Sequence, residues 1–471
     1  MSAYRLLIRG TLVQESAASF GGTEQDHWAD APLCRDGLGR YTLRGEGLAG
    51  ALTAMARKLF RTVPEAILGG GGAPSVWRPF ISHPEQPDTI LAELRQCVRI
   101  DPETGAADDG AMFDLEILPR GTRWPFLLQV DLNRVPEAQK PAVLAVTART
   151  LKAWENGYCW LGRGVARGLG WCSLQDTKVV SLAASEAWPD AFAADYPHGA
   201  AGRLTERGAS TLTEFAARAP KIPADGDWRW QEYELVLSFG TGDGEKRYGA
   251  DLLSVGGHGT IEVDPPWPGL DRLLLPEAMT GKSYEKHWNP DGYPAVSGNS
   301  LTPILPGSSL RGPLRHGLAR WLRMKAPPGA VGVLAPLHRL MGALKGERDA
   351  PESDGTEPKH LSSPLLVRDA YLSDDCCDWK MALVHAHAED EFSGGVFEGS
   401  KFDRVALMDA KFKTRMVLEA RKSEMAELKE ILDVALALAE GGWLGVGGAA
   451  SRGFGGCRWE IERREEYGEA Q

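Results

Sequence analysis

The stretch ILPGSSLRGPLRHGLARWLR, residues 304–323, opens a helix with Pro306, Gly307, Ser308 and Ser309 and then sets Arg311 and Arg315 four apart. A helix start carries backbone N–H groups without intrahelical partners. Preceded by glycine and serine they can hold a phosphate, and two guanidinium groups on one face lie within reach. Such a pocket would grip a sugar-phosphate backbone without reading bases. An ordinary helix capped by Ser308 or Ser309, with a solvated basic face, satisfies the same residues. A weaker version, YTLRGEGLAGALTAMARKLF, stands at 41–60. There Gly45 matches Gly307, but Arg44 replaces Pro306 and the serines are missing, so its grip should differ.

Two glycine-rich loops, GRGVARGLG and GVGGAASRGFGG, resemble nucleotide cradles in spelling only. A dinucleotide fingerprint needs a strand before it and a helix after it, and here the order is reversed. The glycines are better suited to letting one backbone lie against another, with Arg167 and Arg452 as phosphate or partner contacts.

The elements that carry these motifs occur twice. SFGGTEQDHWADAPLCRD (19–36) pairs with SVGGHGTIEVDPPWPGLD (254–271), placing Asp30 and Asp264 before proline-containing turns. LRGEGLAGAL pairs with LPGSSLRGPL, TGAADDGAMFDLEIL (104–118) with SGGVFEGSKFDRVAL (393–407), and WLGRGVARGLGWC with WLGVGGAASRGFGGC. Four blocks in one order indicate a duplicated domain. The expected copies span 1–185 and 228–471, with a connector at 186–227 that holds one short helix, TLTEFAAR. Insertions are expected near 266–300 and 345–360, the latter a charged surface loop.

Each copy opens with a strand, at 4–13 and 232–239. A helix follows, with Leu310, Leu314, Leu318 and Trp321 at helical spacing in the second copy. Two β-rich segments with a central turn come next (115–132 and 404–419), then helices at about 137–156 and 421–440, and a final strand such as CRWEIE. Strand, helix, strands, helix, strand is the split βαβ, ferredoxin-like order, also the scaffold of a common RNA-recognition module. The expected class is α+β, two tandem ferredoxin-like (RRM-like) domains with inserted loops.

Composition bounds the partners. The 471 residues carry a formal net charge of −11, which disfavours binding nucleic acid by bulk electrostatics and leaves room for a local basic groove. The seven cysteines contain no CxxC pair, so neither a disulfide framework nor a cysteine zinc site is indicated. No apolar run approaches the roughly 18 residues of a membrane span, and the N-terminus lacks a signal-peptide pattern, so the cytoplasm is the expected compartment.

Taken together, LPGSSLRGPLR, GGVFEGSKFD and GVGGAASRGFGG resemble the RAMP superfamily of CRISPR systems, above all the backbone subunits of type III effector complexes. Two fused copies are similar to a double backbone subunit. The resemblance implies a guide RNA, a target RNA and other subunits of the complex as partners. It also implies a thumb-like hairpin in each copy, around 97–114 and 385–403, that kinks the guide–target pairing. It further implies a target-cutting aspartate in a loop followed by a small residue and proline. Asp30 in ADAPLCRD matches, whereas Asp264 in VDPPWPGLD departs further from the pattern.

Beside a kinked RNA a loop carboxylate can orient the 2′-hydroxyl or bind Mg²⁺ (or Mn²⁺), although a magnesium ion with one protein ligand keeps most of its waters. Either aspartate is equally suited to capping its turn. His27 is a candidate acid or base, or a surface or RNA-stacking group. His385 and His387 share a strand face, with no third metal ligand at a defined spacing. Two further readings stay open: a purely structural backbone with inert aspartates, and a metal-independent ribonuclease that processes guide precursors.

Overall fold

The computed structural model describes residues 4–21, 29–70, 72–85, 90, 92–100, 107–183, 209–240, 252–254, 270–272, 276–278, 301–343, 362–376, 379–387, 389, 392–396 and 402–467. In the first half, β1 (Arg5–Gln14) is followed by α1 (Gly45–Leu59), β2 (Trp77–Pro79), the hairpin β3 (Glu93–Ile100) and β4 (Ala107–Ile117), β5 (Arg123–Val130), α2 (Lys140–Glu155) and β6 (Trp171–Leu182). The second half repeats the order: β7 (Trp228–Phe239), α3 (Gly307–Lys325), β8 (Leu365–Val367), β9 (Ala370–Leu372), the hairpin β10 (Lys380–Ala386) and β11 (Phe402–Met408), β12 (Ala410–Arg421), α4 (Lys422–Glu440) and β13 (Arg458–Tyr467).

Alternation in RLLIRGTLVQ sends Leu6, Ile8 and Leu12 into the main core of the first half, while Leu7 joins Leu127, Val180 and Leu182 on the opposite face. In α1 the buried residues Leu48, Leu52, Met55, Ala56 and Leu59 recur at helical spacing, as do Leu310, Leu314 and Leu318 in α3. Each helix therefore has one apolar stripe that must lie on a sheet.

The first sheet runs β2-β5-β1-β6, every pair antiparallel. The second runs β8 and β9 against β12, then β7, then β13, again antiparallel. This is the ferredoxin-like order twice, as the element pattern predicts. The registers also coincide. Trp77–Pro79 faces Val130–Leu128 in the first sheet as Leu365–Val367 faces Leu418–Met416 in the second. Ala18 bridges Leu118 as Leu253 bridges Leu407.

Leu301–Leu305 and Pro276–Ala278 extend the edge of the second sheet, a use of the inserted region that periodicity alone did not reveal. The expected short helix forms at Leu212–Arg218, begun by a capping box between Thr211 and Glu214. The charged stretch 345–360 lies outside the described residues.

The halves are packed together. Trp230, Leu366 and Val417 from the second half join the first half's core. Tyr158 stacks on Tyr467 with centroids 4.2 Å apart and donates its hydroxyl to Glu232, which also receives Arg415 at 2.5 Å. The described cysteines are free thiols, and Cys34, Cys159, Cys172 and Cys457 are buried.

Candidate nucleic-acid interface and the seam between the copies

Asp30 is exposed and sits at the base of the β3–β4 hairpin. Its Oδ2 accepts the backbone N–H of Asp114 at 2.9 Å, and its neighbour Ala31 bridges Leu115 in parallel. Three residues on, the Leu33 N–H donates to Glu116 at 2.7 Å, and Arg35 pairs with the same buried carboxylate. The aspartate's loop is thereby tied to the hairpin at three successive hairpin residues. Asp114 Oδ1 is itself a buried acceptor with no hydrogen-bond partner. His27 and Asp264 lie outside the described residues.

Hairpins form in both copies where thumb segments were expected, each as a pairing separate from the strands of the main sheet. His387 pairs with Glu389 at 3.0 Å. Among the described residues no group of three or more His, Cys, Asp or Glu side chains could hold a metal. One or two carboxylates at the hairpin base are too few for a resident Mg²⁺ cage, so they do not fit one.

The start of α3 departs from its expected form. Pro306, not a serine, occupies the N-cap, and Ser308 and Ser309 fall within the first turn. Proline suits this place because its fixed φ leads into the helix without needing a side-chain cap. The Gly307 N–H donates to Asp369 Oδ1 at 2.8 Å, so the pocket expected to hold a phosphate receives an internal carboxylate. Asp369 Oδ2 accepts Arg95 Nη1 from the first copy's hairpin at 2.6 Å, and both side chains are buried, 6% exposed for Arg95 and 0% for Asp369.

The first copy's glycine-rich loop completes this seam. A side chain on Gly307 would meet Gly168 Cα at 2.8 Å and the Arg167 carbonyl at 2.9 Å, and one on Gly168 would run into the Asp369 carboxylate. Gly168 also sits at φ 118°, a left-handed conformation that favours glycine. The expected close approach of backbones is therefore made between the two copies.

Arg311 and Arg315 turn away from the helix start. Arg311 donates to the carbonyls of Leu365 (2.6 Å) and Met341, and Arg315 to that of Gly342 at 3.1 Å. Burial, and then the nearby positive charges of Arg315 and Arg167, push Arg311 down to about 10. Three of the predicted arginines are thus gathered near the seam. Arg167 also lies 5.8 Å over the Phe113 ring, while Arg452 is exposed on the second copy's loop.

The start of α1 is built differently. Gly45 is needed because a side chain there would meet the Pro79 carbonyl at 2.6 Å. An open cleft of about 470 Å³ faces it, lined by Arg35, Asp36, Arg44, Glu46, Pro79 and Ile81 among others.

The RAMP superfamily model matches residues 20–173 and 293–458, one match on each ferredoxin-like half and together most of the chain. The chain belongs to the RAMP superfamily. No curated protein matches it. Two RAMP units in one chain agree with the repeated sheet order, and the membership suggests an RNA-binding, type III CRISPR-associated subunit. No helix among the described residues is long and apolar enough to cross a membrane.

Arg95, Asp369 and Glu116 are residues that sequence reasoning did not single out. A lone carboxylate inside the apolar run LLVRDAYL is the only local sign of Asp369.

Proposed function

We propose that this RAMP protein is a guide-RNA-binding backbone subunit of a type III CRISPR effector complex that cuts complementary target RNA beside Asp30. The exposed carboxylate of Asp30, held at the base of the first copy's hairpin, is the observation that carries the reading. A target strand bent over that hairpin would bring a 2′-hydroxyl to the carboxylate. The carboxylate would accept the hydroxyl proton as the 2′-oxygen attacks the adjacent phosphorus in line. The P–O5′ bond breaks and the leaving 5′-oxygen takes a proton from water, leaving a 2′,3′-cyclic phosphate and a 5′-hydroxyl. A divalent ion, Mg²⁺ or Mn²⁺, would have to act there with few protein ligands, since the described residues do not build a cage for it.

Arg167 carries the phosphate contact of the reading, with Arg452 its counterpart on the second copy and Arg315 beside it, whereas the buried Arg311 adds only its charge. The contacts would be to phosphate, since the guide itself supplies sequence readout.

The hydrogen bond from Asp114 to Asp30 favours a second reading, in which the aspartate only clamps the hairpin and the subunit is a structural backbone. Asp30→Ala and Asp30→Asn in the assembled complex separate the two. Loss of particular cut positions with guide retention unchanged supports cleavage at Asp30. An unchanged cutting pattern supports the structural role, and accumulation of uncut precursor points to guide processing.

A further inference from the structure

The buried carboxylate of Glu116 has no counterpart in the second copy. Phe113 and Asp114 match Phe402 and Asp403 in sequence, and the bridges at Leu118 and Leu407 stand at the same place in each copy. Glu116 of β4 therefore corresponds to Val405 of β11, and each strand pairs with the other arm of its own hairpin. The second hairpin forms with a valine at this position. A hairpin foot of this kind needs no carboxylate there in order to fold.

Burying a carboxylate is costly unless it is paired and hydrogen-bonded, and a buried ion pair adds little net stability compared with apolar side chains of similar size. Glu116, 2% exposed, directs both of its oxygens at the loop that carries Asp30. Its Oε2 accepts the Leu33 N–H at 2.7 Å and Arg35 Nη1 at 3.3 Å, and its Oε1 receives Arg35 Nη2. Arg35 is held from a second side, with its guanidinium 4.9 Å from the centre of the Tyr41 ring and its backbone bridged to Tyr41.

Little regular structure fixes the loop otherwise. Ala31 makes the main-chain bonds of its bridge, donating to the Asp114 carbonyl at 3.2 Å and accepting the Glu116 N–H at 3.2 Å. Asp30 Oδ2 takes the Asp114 N–H. Among the described residues Asp30 Oδ1 takes no hydrogen bond, which leaves that oxygen open to a substrate proton.

We propose that Glu116 is a positioning residue for the first copy's site: through Leu33 and Arg35 it fixes the loop so that the open oxygen of Asp30 stays aimed at the 2′-hydroxyl of a strand bent over the hairpin. This rests on cleavage at Asp30 as proposed above. Glu116 is enclosed and meets no RNA itself. A base displaced by about 1 Å loses on the order of 100-fold in rate, so the loop's anchor is felt at the reacting atoms.

The test uses the complex assembled on its guide, with Glu116→Val, Glu116→Gln or Asp30→Ala in the full chain. Cutting rates are measured in single turnover at saturating target, and affinity is measured with a complementary RNA that lacks the 2′-hydroxyls at the cut sites. Glu116→Val, which copies the residue type of the second hairpin, should slow by about 100-fold the same cuts that Asp30→Ala abolishes, with affinity and guide content within about 2-fold of wild type. Glu116→Gln keeps an acceptor for Leu33 but loses the charge facing Arg35, and should lose about 10-fold. Circular dichroism melts and the yield of complex show whether each variant folds. A lower melting point or yield with an unchanged rate in the assembled complex means a merely structural role and overturns the proposal, as does a loss confined to target affinity. If Glu116→Val does not assemble, a wild-type rate for Glu116→Gln is equally decisive against it. Asp30→Ala that leaves every cut in place removes the cleavage reading and this proposal with it, whereas cuts that need Asp30 but survive Glu116→Val at full rate remove only the role of Glu116.

Discussion

Asp369 invites the most demanding test of how the two copies are joined. Its carboxylate is fully buried and accepts two donors, Arg95 Nη1 at 2.6 Å and the Gly307 N–H at 2.8 Å. Asp369→Ala removes the carboxylate that this buried guanidinium meets at the seam, a change that costs about 3–5 kcal/mol. For a cooperative unit of domain size this lowers the melting midpoint by roughly 6–20 °C. Arg95→Val should cost a comparable amount by stranding the carboxylate. The double variant Arg95→Val with Asp369→Ile puts an apolar pair in place of the ionic one. It removes both charges at once and leaves only the Gly307 N–H short of its acceptor, at about 1–2 kcal/mol. Its midpoint should therefore lie within a few degrees of wild type, and the double-mutant cycle should show a coupling of several kcal/mol. Scanning calorimetry on the four proteins measures this directly. A single variant that melts within a degree or two of wild type, or a double variant as unstable as the two singles summed, would refute the account of the seam.

Other outcomes follow from the same geometry. Gly168→Ala should destabilise the chain well beyond Gly453→Ala, because both replace a left-handed glycine but only the first collides with a carboxylate; urea midpoints compare them. Arg167→Ala together with Arg315→Ala should weaken binding of single-stranded RNA evenly across sequences, and the slope of log affinity against log salt should fall by about 0.7 for each phosphate no longer neutralised. Burial pushes the Tyr233 hydroxyl up from 10 to about 12, which favours the neutral phenol in the folded chain. That stability is intact below pH 10 and is lost as pH rises toward 12, by on the order of 2–3 kcal/mol, so Tyr233→Phe should flatten the alkaline limb of a stability profile. Leu310→Ala and Leu48→Ala, each removing a fully buried side chain of the first helix in its copy, should cost about 2–5 kcal/mol in chemical denaturation.

Much of the architecture was legible in the residues alone, because its causes are local and periodic. Alternation in RLLIRGTLVQ, the helical spacing of Leu310, Leu314 and Leu318, and glycines punctuating each helix end require only near neighbours to take effect. The duplication was legible for the same reason, since repeated local patterns build repeated sheets. Even the purpose of the glycine-rich loops, close approach of one backbone to another, followed from what glycine permits.

The interface chemistry was decided by the tertiary structure. Ser308 and Ser309 have the composition of a cap, yet Pro306 occupies that place and Asp369 satisfies the helix start from 62 residues away. Arg311 and Arg315 share a helix face with the expected pocket, but carbonyls delivered by Leu365, Met341 and Gly342 draw them elsewhere. Arg95 and Asp369 are separated by 274 positions, and nothing near either one announces the other. Whether such a charge is stabilised depends on which partner the folded chain delivers to it once water is excluded. That property belongs to the packed arrangement of the two copies, and a linear pattern of residue types does not specify it.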